Sequence, residues 1–238
     1  MRKINLSPKP SELTAAKEEE LKREYNDDRT SVWRKSYIVD KLLEMTFSKC
    51  AYSETILQRN SSYMEVDHFF PKEKYPQKVV EWGNLVACCK TCNTTKGKTD
   101  PQIVELINPY EDNPLKHISF RGGLCIALDK KGENSKKKYG LNSQHFVKSR
   151  ESQITKNKEE LGRLAEEWNE GIELDNQMRR FKARLKTILQ SAQPQEPYSV
   201  CVAIALLHDN NFRRIKEGLD NKSQWTLSLD SLYNHLLK

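Results

Sequence analysis

The feature that most constrains this chain is the stretch 49–100, where metal-binding and proton-accepting side chains recur at fixed intervals between short apolar runs. It reads Cys50-Ala-Tyr-Ser53, then Met64-Glu-Val-Asp67-His68-Phe-Phe-Pro71-Lys72, then Trp82-Gly-Asn84-Leu-Val-Ala-Cys88-Cys89-Lys-Thr-Cys92-Asn93-Thr-Thr-Lys96-Gly97-Lys98. The pattern predicts a short strand delivering Asp67 and His68, a long loop, a second strand, and a helix that opens with Asn93 and carries Lys96 one turn later. Adjacent strand residues face opposite ways, so Asp67 and His68 reach one site only if the strand ends or bends there. Pro71 and the run 72–77 supply such an ending.

These residue types match the needs of phosphodiester hydrolysis. Water must lose a proton near neutral pH, and histidine has the unperturbed pKa best placed for that, so His68 is the candidate general base. A hard divalent cation of the magnesium type stabilises charge on the phosphate and takes oxygen ligands, which Asp67 and Asn93 can provide. Lys96 lies on the Asn93 face of the helix, within reach of a phosphate oxygen. Asn84 is too far along the loop to be an obvious ligand; hydrogen bonds to backbone, fixing the His-bearing segment, are the economical role.

At these residues the chain resembles the HNH endonuclease family with its ββα-metal fold, through Asp-His with Pro-Lys, Asn-Leu-Val and Cys-x-x-Cys-Asn-x-x-Lys-Gly. The resemblance implies the same roles: His68 as base, Asp67 and Asn93 as ligands of a magnesium or manganese ion, Asn84 as orienting residue and Lys96 as phosphate contact. In many relatives two Cys-x-x-Cys pairs bind a structural zinc. Here Cys89 and Cys92 form the later pair, but the earlier one reads Cys50-Ala-Tyr-Ser53, and serine is a poor zinc ligand. Three thiolates with a water, completion by Cys88 or by a histidine such as His117, and a metal-free knuckle held by packing remain alternatives. Cys125 and Cys201 read as buried small hydrophobes.

The N-terminal Met-Arg-Lys-Ile, Asn108-Pro-Tyr-Glu-Asp-Asn-Pro114, His117-Ile-Ser-Phe, Gly-Leu-Asn142 and Arg150 extend the resemblance to one subfamily. It is the PtuB-type HNH protein found beside a PtuA-like ABC/SMC-type ATPase in Septu anti-phage systems and some retron operons. That implies a DNA-degrading effector governed by the ATPase. The alternatives are a non-catalytic nucleic-acid-binding or adaptor subunit with a structural ββα knuckle, and an RNA-directed nuclease.

Composition is compatible with these readings. The 238 residues suffice for a core without disulfides, and crowded Cys88, Cys89 and Cys92 suggest a metal knuckle in a reducing compartment. No segment approaches a membrane span and the N-terminus lacks an apolar signal run, so a cytoplasmic protein is expected. The net charge of +7 suits phosphate partners, chiefly because Lys72, Lys74, Lys78, Lys90, Lys96 and Lys98 crowd the motif. No Walker-type loop is present.

The expected class is α+β, a ββα-metal core within a mainly helical protein. Residues 1–48 form a helical segment, 49–100 the HNH core, 101–142 a loop and short hairpin, and 143–238 a helical region. Ser11 is expected to cap a helix ending before 26–28, and a second helix to start near Ser31 and brace the core from behind. The Lys-rich 129–138 reads as an exposed loop. Two apolar stripes within 143–192, joined at Gly171, and the apolar run 198–207 read as helices.

Overall fold

The computed structural model describes residues 1–57, 64–172 and 174–237. Contacts divide the chain into two compact units, Met1–Ile118 with Cys125–Ser143, and Ser119–Leu124 with Gln144–Lys238. Helices dominate the described residues, and the strands form two two-stranded sheets, so the class is α+β as expected.

The first unit opens with helix α1 (Ala15–Asp28). Its cap is Thr14, whose hydroxyl accepts from the Lys17 N–H at 3.2 Å, and not Ser11. A turn closed by Leu13 N–H on Pro10 O keeps Ser11 outside the helix. The helix runs through Asp28 and stops where Arg29 adopts a left-handed conformation. A 3-10 turn, Val32–Arg34, precedes α2 (Ser36–Met45), so the second helix begins later than Ser31 and Trp33 projects from a turn.

Strand β1 (Met64–His68) pairs antiparallel with β2 (Leu85–Cys89), from Met64 opposite Cys89 to His68 opposite Leu85. Every residue of β2 is buried, which its uninterrupted apolar sequence permits. Helix α3 (Lys90–Lys96) follows directly, so it opens at Lys90 and Asn93 sits one turn in; it ends at Gly97 with φ 52°. The turn carrying Cys50 joins this sheet, since Ala51 N–H donates to Ala87 O at 2.9 Å and Lys49 bridges Ile56.

Strands β3 (Ile118–Arg121) and β4 (Leu124–Ala127) lie where the sequence suggests. The Lys-rich segment departs from expectation: it is helix α4 (Lys130–Lys138). Asp129 caps it by accepting from Gly132 N–H at 2.7 Å, and Lys136, Lys137 and Lys138 face the negative end of the helix dipole.

The second unit contains α5 (Gln144–Glu170), α6 (Asp175–Gln190), α7 (Ser199–Leu207), α8 (Asn210–Asn221) and α9 (Leu227–Asn234). Gly171 (φ 92°) lies between the two long helices. Leu161, Leu164, Phe181, Leu185, Val202, Leu206, Phe212 and Ile215 form its core. His208 and Asp209 serve only as turn and cap: His208 Nδ1 donates to Ile204 O, and Asp209 accepts from Asn211 and Phe212 N–H.

Gly132 shows how tightly α4 is seated, since a Cβ there would run into the backbone carbonyl of His117. Gly132→Ala is expected to destabilise the protein by about 1–3 kcal/mol despite alanine's better helix propensity, measured by chemical denaturation. A variant as stable as wild type would show that the contact relaxes freely.

Candidate active site

A cleft of about 290 Å³ opens over the end of β1. Its walls include Glu65, Asp67 and His68 from β1, Asn93 from α3, and Trp33, Arg34, Lys72 and Lys98 around them. Because β1 ends at His68, neighbours that a continuing strand would face apart line one cavity. Asn84, absent from the wall, ties down the loop beyond β1. Its amide donates to Phe70 O (3.1 Å) and Lys78 O (2.9 Å), and its Oδ1 accepts from Phe70 N–H at 2.7 Å.

Asp67 is almost fully buried. Its Oδ2 accepts from the Tyr52 hydroxyl at 2.6 Å and its Oδ1 from the Lys96 ammonium at 2.9 Å. A carboxylate offers about four lone-pair directions, so these two bonds leave room for a cation. Lys96 also donates to His68 O at 2.6 Å, and its side chain is wholly withdrawn from solvent. The expected phosphate contact is therefore not available to Lys96 in this arrangement, because its charge is committed to Asp67.

His68 is buried, with its ring edge-on to Trp33 at 4.7 Å. Its Nε2 lies 2.9 Å from Val79 O. A carbonyl only accepts, so Nε2 carries the proton and the neutral ring keeps its lone pair on Nδ1. Burial lowers the His68 pKa to about 4; the Val79 bond and Asp67 oppose this, and Lys72 and Lys96 add to it.

Asn93 donates through Nδ2 to Glu65 Oε2 at 2.6 Å. An ionised carboxylate only accepts, so it fixes the amide's orientation and turns Oδ1 away from Glu65. Asp67 and Asn93 thus offer the hard oxygen donors that suit a magnesium-type ion. Sequence reasoning missed Glu65, although its two-residue spacing from Asp67 put both on one strand face. It also missed Tyr52, and it placed Trp33 in a bracing helix when Trp33 and Arg34 help form the cleft.

The Sγ atoms of Cys50, Cys89 and Cys92 are buried and all lie within 4.8 Å of one another. Tetrahedral zinc–thiolate geometry sets sulfurs roughly 3.8 Å apart, so the cluster is compatible with a metal. Ser53 Oγ stands 3.8 Å from Cys89 Sγ, beside the three thiols. Burial raises the Cys50 thiol, but hydrogen bonds from Cys89, Cys92 and Ser53 outweigh it and hold its pKa well below the ordinary value. Cys89 is pushed up to about 12, first by its bond to Cys50. Cys88 faces elsewhere, towards Glu65 O, and His117 pairs with Asp129 at 2.6 Å. Cys125 and Cys201 are buried.

The HNH endonuclease family model matches residues 50–99, the segment that supplies β1, β2, α3 and the cysteine cluster. Over 234 residues the chain is 36% identical to the Septu protein PtuB of Bacillus thuringiensis, covering 95% of this chain and 90% of that protein. It is also 30% identical over 146 residues to the Septu protein PtuB of Bacillus mycoides (strain KBAB4), covering 47% and 49% of the two.

The depressed His68 pKa has a stability consequence. Below pH 6.5 the unfolded chain protonates this residue and the folded chain does not, so stability falls from pH 6.5 towards about 4 and levels off below. The contribution lost between pH 7 and 5 is about 2 kcal/mol. His68→Gln, which cannot titrate, is expected to show a pH dependence shallower by that amount in urea denaturation. Parallel profiles for the two proteins would contradict a buried neutral imidazole.

Proposed function

The chain belongs to the PtuB family, and from that premise we propose that it is a divalent-cation-dependent HNH endonuclease hydrolysing DNA phosphodiester bonds in the cytoplasm. In this reading it is the nuclease subunit of a Septu-type anti-phage complex, controlled by a PtuA-like ABC/SMC-type ATPase. The observation that carries the proposal is the gathering of His68, Asp67 and Asn93 on one cleft wall within the family-matched segment.

His68 accepts the proton of the attacking water at Nδ1, with Nε2 held on Val79 O. Asp67 and Oδ1 of Asn93 hold magnesium or manganese. When bound, such an ion supplies charge stabilisation to the phosphate and the departing oxygen. Lys96 keeps Asp67 in place, and Asn84 keeps the loop folded behind His68. The phosphate contacts pass to the cations on the cleft itself, Arg34, Lys72 and Lys98. Cys50, Cys89 and Cys92 hold a structural zinc that ties the knuckle to α3.

His68→Ala is expected to reduce magnesium-dependent plasmid nicking by at least about 100-fold while leaving cation binding intact. Unchanged nicking by the purified variant would remove His68 from the mechanism. Offering duplex DNA, single strands and RNA in parallel, with and without the ATPase, tests substrate and control together. On the inactive background, Arg34→Ala and Lys98→Ala are each expected to reduce the slope of log affinity against log salt by about 1. An unaltered slope would place the backbone phosphates elsewhere.

A further inference from the structure

Asp67 is held from two directions, and one holder comes from a part of the chain with no role in the chemistry described so far. Tyr52 lies within the Cys50-Ala-Tyr-Ser53 turn, two residues after a cysteine of the metal-compatible cluster, and its hydroxyl reaches Asp67 Oδ2 at 2.6 Å. We infer that Tyr52 is a positioning residue that fixes the Asp67 carboxylate from the cysteine turn, so that the integrity of that turn governs how the cleft holds its cation.

Three observations support this. Tyr52 is completely buried and stacks on Tyr139 with ring centres 3.9 Å apart and planes 11° apart, which leaves its phenol little freedom of direction. Tyr139 is in turn anchored by its hydroxyl on Ile107 O at 2.8 Å. The turn is fixed at its base by Ala51 N–H on Ala87 O and by Glu54 N–H on Cys50 O, both 2.9 Å. A carboxylate only accepts, so the Tyr52 hydroxyl is the donor in this bond. Lys96 alone would fix one oxygen and let the carboxylate swing about that contact. With Tyr52 on the other oxygen, its plane and remaining lone pairs have one direction.

The inference rests on the proposed role of Asp67 as cation ligand, and the test separates the two. Manganese affinity is measured by titration calorimetry without nucleic acid on the full chain as wild type, Asp67→Ala and Tyr52→Phe. Asp67→Ala is expected to lose the cleft site, and Tyr52→Phe to bind roughly 10-fold or more weakly, the usual effect of removing a partner of a metal ligand. If Asp67→Ala binds like wild type, the ligand role itself fails. If Asp67→Ala loses binding while Tyr52→Phe retains wild-type affinity, only the role of Tyr52 is overturned. A second measurement does not depend on the phenylalanine variant folding. With 3-fluorotyrosine placed at position 52, magnesium is expected to shift its fluorine resonance along the saturation curve, and to leave it unmoved when Asp67 is also replaced by alanine. A resonance indifferent to magnesium in the otherwise wild-type protein overturns the proposal.

Discussion

A carboxylate as deeply buried as that of Asp67 is tolerable only where other groups replace the water it has lost. Lys96 supplies the opposite charge and Tyr52 a neutral donor. Breaking a buried pair of this kind by removing one partner typically costs about 3–5 kcal/mol, because the other charge is left stranded. The local architecture follows from that need. Helix α3 starts without a linker after β2, and so brings Lys96 back over the end of β1. The cysteine turn, pinned to Ala87, brings Tyr52 in from the other side.

The same withdrawal from water shapes His68. Its ring is covered by Trp33, its Nε2 proton is spent on Val79 O, and desolvation holds it neutral well below physiological pH. A single cause thus gives Asp67 its need for partners and keeps the His68 ring neutral. Around these buried side chains the cleft wall is basic, with Arg34, Lys72 and Lys98, while Glu65 pins the Asn93 amide. The cleft therefore brings the oxygens of Asp67 and Asn93 and the His68 imidazole together with the cationic side chains of Arg34, Lys72 and Lys98.

Much of this was legible in the sequence because strand, loop and helix left distinct marks. Asp67, His68 and Asn93 share a cleft because their spacing encodes a strand end and a helix turn, and the buried run of α7 declared itself by continuous apolarity. What stayed hidden depended on tertiary placement. Nothing in Asn-x-x-Lys reveals whether Lys96 points outwards to a phosphate or inwards to Asp67, since either lies within reach of a lysine on that helix face. Tyr52 sits in a turn with no periodicity, and Trp33 lies in a 3-10 turn just ahead of the helix expected from Ser31. Helix α4 was readable in principle from its Asp129 cap and basic last turn, but its polarity masked it.

In the proposed mechanism Asp67 and Asn93 converge on one hard cation beside His68. The most direct measurement is anomalous diffraction from crystals of the protein soaked in manganese. A peak is expected in the cleft within coordination distance of an Asp67 oxygen and of Asn93 Oδ1. Manganese binding elsewhere at saturating concentration, with the Asp67–Lys96 pair undisturbed and the cleft empty, would contradict it.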